Sequence, residues 1–197
     1  MADFSAGIAF IIIYFLVIFG IAITMYLFEA FGIYRMGQKL GFKNPWLAFI
    51  PIANMYAFGK VAEQYVKNDG RPSAKFSKIL LTLNIIMLVL AILFTVVIIV
   101  TVIANIAMFD VTGGNEMAIL SVILPAVLGY IVFIGLAIAQ SVVYYIALWR
   151  IFAIFDHNNA TVFLVLSIFI SFLYPIFLFA VRNKEPKLTP QERFNQF

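Results

Sequence analysis

Glu29 is the residue best placed to do chemistry in this chain. It lies at the end of an apolar run, six positions before Arg35. On one helix that spacing puts the carboxylate about 9 Å deeper than the guanidinium. A carboxylate at such depth is costly, and it faces protein or a water-filled cavity. Two readings stand open. One is a proton or cation site; the other is a structural role, either paired with Arg35 or Arg150 or snorkelling to the interface. Asn54 follows Pro51 by three residues in a short apolar segment. Proline removes a backbone donor and interrupts regular hydrogen bonding. Asn54 can satisfy the freed groups, or it can line an ion or substrate site as residues of broken helices do in transporters. Gln140, Asn84 and Asn105 are polar residues inside apolar runs, and such residues bond across helices. Glu29, Arg35, Asn54, Gln140 and Arg150 together form the candidate intramembrane polar site.

Other chemistry is sparse. The chain has no cysteine, which excludes disulfides, thiolate metal sites and cysteine nucleophiles. His157 is the single histidine and sits beside Asp156 in the linker Asp156-His157-Asn158-Asn159. One imidazole and one carboxylate are too few ligands for a metal, so a solvated loop is expected, with no metal and no cofactor. Hydrolysis within a membrane needs paired aspartates, a Ser-His or Ser-Lys pair, or a metal cluster. The apolar runs hold no aspartate or histidine, and their serines have no basic neighbour in sequence. The expectation is a non-enzymatic protein.

The elements that position these residues must be membrane helices. The run Ile79 to Phe109 holds about thirty residues without a charge, and roughly twenty suffice to cross a bilayer. The composition agrees: 64% of residues are hydrophobic and 11% charged. The spacing predicts an all-α integral membrane protein of one transmembrane domain. It has spans at about 6–40, 79–109 and 117–149, a proline-broken re-entrant or interfacial segment at 45–59, and a further apolar segment at 160–181. The N-terminus has Asp3 and no cleavage site, so the first span is expected to be retained.

Lys and Arg set the orientation. Arg35, Lys39, Lys43, Lys60, Lys67, Arg71, Lys75 and Lys78 lie between the first two spans, whereas the turn Asp110 to Glu116 has no positive charge. The basic loop 60–78 is therefore expected in the cytoplasm and the N-terminus outside. The tail 182–197 carries Arg182, Lys184, Lys187 and Arg193, which also favours the cytoplasm. Four full spans would put that tail outside. Either 160–181 breaks near Tyr174-Pro175 and returns as a re-entrant hairpin, or it spans and tolerates an external basic tail.

A weak parallel repeat favours the hairpin. At one constant offset, Gly20, Ala22, Ile23, Arg35 and Asn44 match Gly135, Ala137, Ile138, Arg150 and Asn159. Each half then holds a span ending in an aromatic-Arg pair, a short polar linker ending in Asn, and an apolar segment broken by proline. Parallel repeats of this kind occur in transport folds. Gly20 and Thr24, and Gly135 and Ala139, have the small-residue spacing that lets helices approach closely. Lys60, Lys67, Arg71, Lys75 and Lys78, with Tyr65 and Phe76 among them, suit contact with anionic lipid headgroups. Thr189-Pro190-Gln191-Glu192 has a helix-start pattern, and Phe194 and Phe197 suit a short helix resting on the bilayer. Nucleic acid binding is not expected.

The text Trp46-Leu47-Ala48-Phe49-Ile50-Pro51-Ile52-Ala53-Asn54-Met55-Tyr56 carries a resemblance. With Tyr34-Arg35, Gly41, Leu148-Trp149-Arg150-Ile151-Phe152 and Tyr174-Pro175-Ile176, it resembles a family of small uncharacterised multipass membrane proteins, mostly bacterial. The second span here is longer than in that family. The resemblance implies a multipass topology, in a bacterial inner membrane, and no particular activity. Two functions remain in view. One is a non-catalytic scaffold, accessory subunit or lipid-organising component. The other is a homo-oligomeric channel or transporter with a site near Glu29 and Asn54.

Overall fold

The computed structural model describes residues 2–65, 75–112 and 116–186. Lys67, Arg71, the Asp69–Pro72 turn, the Gly113–Asn115 turn and the tail from Lys187 lie outside the described residues. Among the described residues, six α-helices follow in order: α1 Ala2–Lys39, α2 Pro51–Glu63, α3 Phe76–Thr112, α4 Glu116–Phe155, α5 Ala160–Phe169 and α6 Leu173–Val181. A 3-10 turn, Pro45–Phe49, precedes α2. Lipid offers no hydrogen bonds, so a spanning chain must satisfy its backbone internally, and a helix does so within one segment. The segments Ile8–Lys39, Phe76–Ala104 and Ile123–Phe155 are long and apolar enough to cross a membrane, and their apolar surface faces outward. The protein is an all-α membrane protein.

The two shorter parts are hairpins that return to the end they left. α1 ends in a Schellman turn: Gly41 adopts φ +70°, and the Phe42 N–H donates to the Gly37 carbonyl at 2.9 Å. The chain then dips through the 3-10 turn to Phe49, whose ring lies 5.0 Å from Phe31 and 5.4 Å from Tyr34. Ile50 is extended (φ −94°, ψ 119°), as the residue before a proline prefers. Pro51 opens α2, where its missing N–H is no loss. α2 climbs back until Glu63 accepts bonds from the Ser77 N–H (2.9 Å) and hydroxyl (2.7 Å) at the start of α3.

The second hairpin is α5 and α6. Their 10 and 9 residues are about 15 Å each, half of a bilayer core of roughly 30 Å. The chain leaves α4 at Asp156, and after α6 Lys184 donates to the carboxylate of Asp156. Lys39 at the end of α1 donates to the carbonyls of Asn183 (2.6 Å) and Lys184 (3.1 Å) and pairs with Glu185 (2.9 Å). The ends of α1, α4 and α6 thus meet, and 160–181 folds back on itself as two short helices. Its break falls at Ile170–Phe172 and not at Tyr174-Pro175. Pro175 is the third residue of α6, inside the first turn, where backbone N–H groups have no helical acceptor.

α1 and α4 pack against their own hairpins and also against a helix of the other one, α6 and α2 respectively, and α3 packs along α2. Phe179 of α6 stacks on Phe28 of α1 at 4.8 Å. Phe58 of α2 stacks on Tyr144 of α4 at 4.6 Å, and Tyr65 meets Trp149 edge-on at 5.4 Å. The core is confined to this hairpin half of the molecule, with Phe58, Leu80, Leu148, Phe152, Phe155 and Leu178 fully enclosed. Gly20, Thr24, Gly135 and Ala139 are exposed, and a Cβ on either glycine would meet nothing within 4 Å. The close approaches within the chain fall at other glycines. A Cβ at Gly32 would lie 3.1 Å from the Leu178 backbone, and one at Gly59 would lie 2.5 Å from the Ser77 backbone.

Gly59→Ala should therefore push α2 off α3 and destabilise the protein by about 1–3 kcal/mol. Gly20→Ala should leave stability unchanged or slightly raised, because alanine favours helix. Thermal melting of the two variants in mild detergent, followed by size-exclusion chromatography, reads the difference. Equal melting temperatures would contradict the α2–α3 contact.

Candidate functional site

The site lies well inside the fold, away from the helix ends. Glu29 is ten residues before the end of α1, about 15 Å along the axis, and is 4% exposed. The Asn54 side-chain amide of α2 donates to Glu29 Oε1 at 3.1 Å. The Tyr174 hydroxyl of α6 donates to Glu29 Oε2 at 3.0 Å. Each hairpin thus supplies one donor to the same carboxyl. The broken backbone makes this possible: Pro51 starts α2 deep in the fold, which brings Asn54 level with Glu29, and the turn at Ile170–Phe172 does the same for Tyr174.

A layer of further polar atoms surrounds the carboxyl. Tyr144 of α4 meets Tyr174 edge-on at 5.6 Å. Its hydroxyl is buried without a hydrogen-bond partner. Tyr26 lies one turn before Glu29 and Gln140 one turn before Tyr144. Among the described residues, the buried side-chain atoms without a hydrogen-bond partner are Tyr26 Oη, Asn54 Oδ1, Gln140 Oε1 and Tyr144 Oη. All four belong to this layer. Leaving such atoms unpaired costs about 1–3 kcal/mol each.

The arginines expected to pair with Glu29 do not reach it. Arg35 is exposed and donates to Gln38 Oε1 at 3.1 Å. The Arg150 guanidinium lies over the Phe76 ring at 4.5 Å and near the Tyr65 ring at 5.8 Å. Both sit near the hairpin end of their helices, away from Glu29. Of the predicted set, Glu29 and Asn54 come together and Gln140 lies in the same layer. Tyr174 and Tyr144 were not expected. A signal for Tyr144 existed, because the offset that pairs Gly20 with Gly135 also pairs Glu29 with Tyr144.

The arrangement is oxygen-rich and carries one carboxyl. Among the described residues no group of three His, Cys, Asp or Glu could hold a metal ion. A single carboxyl among neutral oxygens and hydroxyls suits a proton or a monovalent cation better than a divalent one, which takes more ligands. The remaining charges lie at the hairpin end. Lys60 sits over Phe42 at 5.0 Å, Lys75 and Lys78 are exposed, and His157 is exposed beside Asp156. No protein-family model matches the chain, and neither a curated protein nor a solved structure matches it.

Asp156 ties the second hairpin shut. Burial alone would raise its carboxyl, but bonds from Lys184 and Asn159 outweigh burial and hold it below the usual carboxylate range. A lowered carboxyl stabilises the fold above its unfolded value, about pH 4, and that contribution is lost as pH falls through the lowered value. Amide protection factors around 181–186, corrected for the intrinsic slowing of exchange in acid, should therefore fall as pH drops below about 4, and Asp156→Asn should show the low protection and fast exchange already at neutral pH. Identical exchange in the variant and the parent at neutral pH would remove Asp156 as the latch.

Proposed function

We propose that this is a non-enzymatic membrane transport component that binds a proton or a monovalent cation at Glu29. The single observation that carries this is a carboxyl buried well inside the fold, bonded to two neutral donors, with its unpaired neighbours all oxygens. Apolar side chains would hold the two hairpins together without the cost of a buried carboxyl. A buried carboxyl at the junction of both hairpins suits a task that uses its charge.

The orientation follows from the basic residues. Lys39, Lys43, Lys60, Lys75, Lys78, Arg182 and Lys184 gather at the hairpin end, which supports that end in the cytoplasm, against anionic lipid headgroups, and the N-terminus outside. Both hairpins then open toward the cytoplasmic leaflet, and Glu29 marks their shared inner end. One chain offers few polar groups for a path, so a homo-oligomer is the form that supplies more.

A second reading has its own support. The outward surface of the spans is almost wholly apolar, with Phe10, Phe15, Phe19, Leu128 and Ile131 well exposed. That surface suits a scaffold or accessory subunit in broad contact with lipid or another membrane protein.

Flux into proteoliposomes separates the two. Purified protein should pass protons or a monovalent cation, and Glu29→Gln should reduce that flux at least tenfold while leaving size-exclusion behaviour unchanged. Tyr174→Phe and Asn54→Ala should each reduce it by less. Flux that survives Glu29→Gln, or its absence from well-folded parent protein, would leave the accessory reading in its place.

A further inference from the structure

The carboxyl of Glu29 is closed in. Its partner Asn54 is 2% exposed, and Asn54 Oδ1 and the hydroxyls of Tyr26 and Tyr144 are out of reach of water. A metal cation would have to enter without its hydration shell, and oxygen lone pairs would have to replace that shell. The two groups bonded to the carboxyl present hydrogens instead: the Asn54 N–H at Oε1 and the Tyr174 O–H at Oε2. Those hydrogens carry positive partial charge and repel a cation. A proton needs no added volume and no shell of lone pairs. It needs only an acceptor for the O–H bond that it forms.

Both contacts stay bonded when the carboxyl takes a proton at Oε2. Oε1 is then a carbonyl oxygen, and it accepts from the Asn54 amide as a carboxylate oxygen does. A phenol hydroxyl can donate or accept, so the 3.0 Å contact with Tyr174 reverses and Glu29 becomes the donor. No heavy atom has to move. Among the described residues, the other titratable groups on the elements packed against α1 are engaged elsewhere. α6 carries Tyr174 alone, and the 3-10 turn carries none. On α2, Lys60 stands over the Phe42 and Tyr56 rings and Glu63 bonds Ser77. On α1 itself, Arg35 bonds Gln38 and Lys39 bonds the carbonyls of Asn183 and Lys184. What remains near the carboxyl is tyrosine: Tyr26 one turn before it on α1, and Tyr144 of α4, whose ring meets Tyr174 edge-on at 5.6 Å.

We infer that the ion held at Glu29 is a proton rather than a metal cation, and that Tyr174 is the positioning residue that bonds both states, as donor to the carboxylate and acceptor from the acid. The inference rests on the reading that Glu29 binds an ion, and it names that ion. Binding forms one O–H bond at Oε2 and neutralises one charge. The proton comes from water and returns to it, and no electron is transferred. In the acid state the freed Tyr174 O–H turns to the Tyr144 hydroxyl, a buried oxygen that otherwise lacks a partner. Pairing it recovers part of the cost of leaving a buried polar group unbonded. The Asn54 amide serves both states without turning over.

Infrared difference spectra of the full chain in proteoliposomes, taken between acid and alkaline buffer, test this. A carboxylic C=O component that shifts in deuterium oxide is expected, and Glu29→Gln should remove it. Asn54→Leu, which keeps the size of the side chain, should move that component to higher frequency, because the C=O loses its donor. The same spectra should contain a tyrosine C–O band, identified by isotope-labelled tyrosine, that is lost in Tyr174→Phe and altered in Tyr144→Phe. In the parent protein, which needs no variant to fold, the pH at which the C=O component appears should not change when sodium or potassium replaces choline. Three results would each overturn the inference: displacement of the component by sodium or potassium at constant pH, a component that survives Glu29→Gln, or a tyrosine band that survives Tyr174→Phe. Flux judges the transport role separately. The C=O component without flux of any ion would keep the proton site and remove transport. Sodium or potassium flux that Glu29→Gln abolishes, without the component, would keep transport and remove the proton.

Discussion

Glu29 is held by one hydrogen bond from each hairpin, and the arrangement of the molecule depends on that junction. A chain that turns back inside a bilayer leaves peptide groups without the intrahelical partners they would have in a continuous span. Here the helices beside the turns are covered by protein, while the turn residues Ile50, Ile170 and Phe172 are exposed. α2 lies between α3 and α4, α6 lies along α1, and the Asn54 and Tyr174 side chains converge on one carboxyl. The ends of the hairpins are fixed by charge at the surface, and their interior by neutral donors around Glu29.

The two halves share an order of elements: a long helix, a short linker ending in Asn44 or Asn159, and a hairpin. They are not independent units, because α1 packs on α6 and α4 packs on α2. The correspondence extends to the site, where Glu29 and Tyr144 hold matching places on α1 and α4 and each faces a hairpin of the opposite half. One half contributes the charge and the other an aromatic hydroxyl. That asymmetry gives a polar layer whose carboxyl lies on the α1 side.

Much of this was legible in the sequence. Long uncharged runs give the membrane class without further information, because roughly twenty apolar residues in a row have few other uses. The basic tail pointed to a returning hairpin, because Lys and Arg resist translocation. Pro51 gave the place of the first break and so the depth of Asn54. Pro175 misled, since a proline in the first turn of a helix is harmless and the real break lies at Ile170–Phe172. The partners of Glu29 were only partly legible. Arg35 was the obvious candidate by proximity, yet it lies nearer the surface on the same helix and bonds Gln38 instead. Tyr174 is far away in sequence, and nothing short of the folded hairpin brings it to Glu29. The small residues Gly20 and Gly135 suggested packing but meet nothing within the chain, whereas Gly32 and Gly59 do the close packing without a recognisable motif around them.

The depth of the turn between α5 and α6 tests the central claim most directly. A spin label at Phe172, which is exposed, can be placed in the bilayer by its relative accessibility to oxygen and to a water-soluble relaxation agent. A hairpin that returns to the level of Asp156 predicts a label near the middle of the hydrocarbon, rich in oxygen and shielded from the aqueous agent. A label freely reached by the aqueous agent from the side opposite Asp156 would mean that the segment crosses, and the junction at Glu29 could not then form as described.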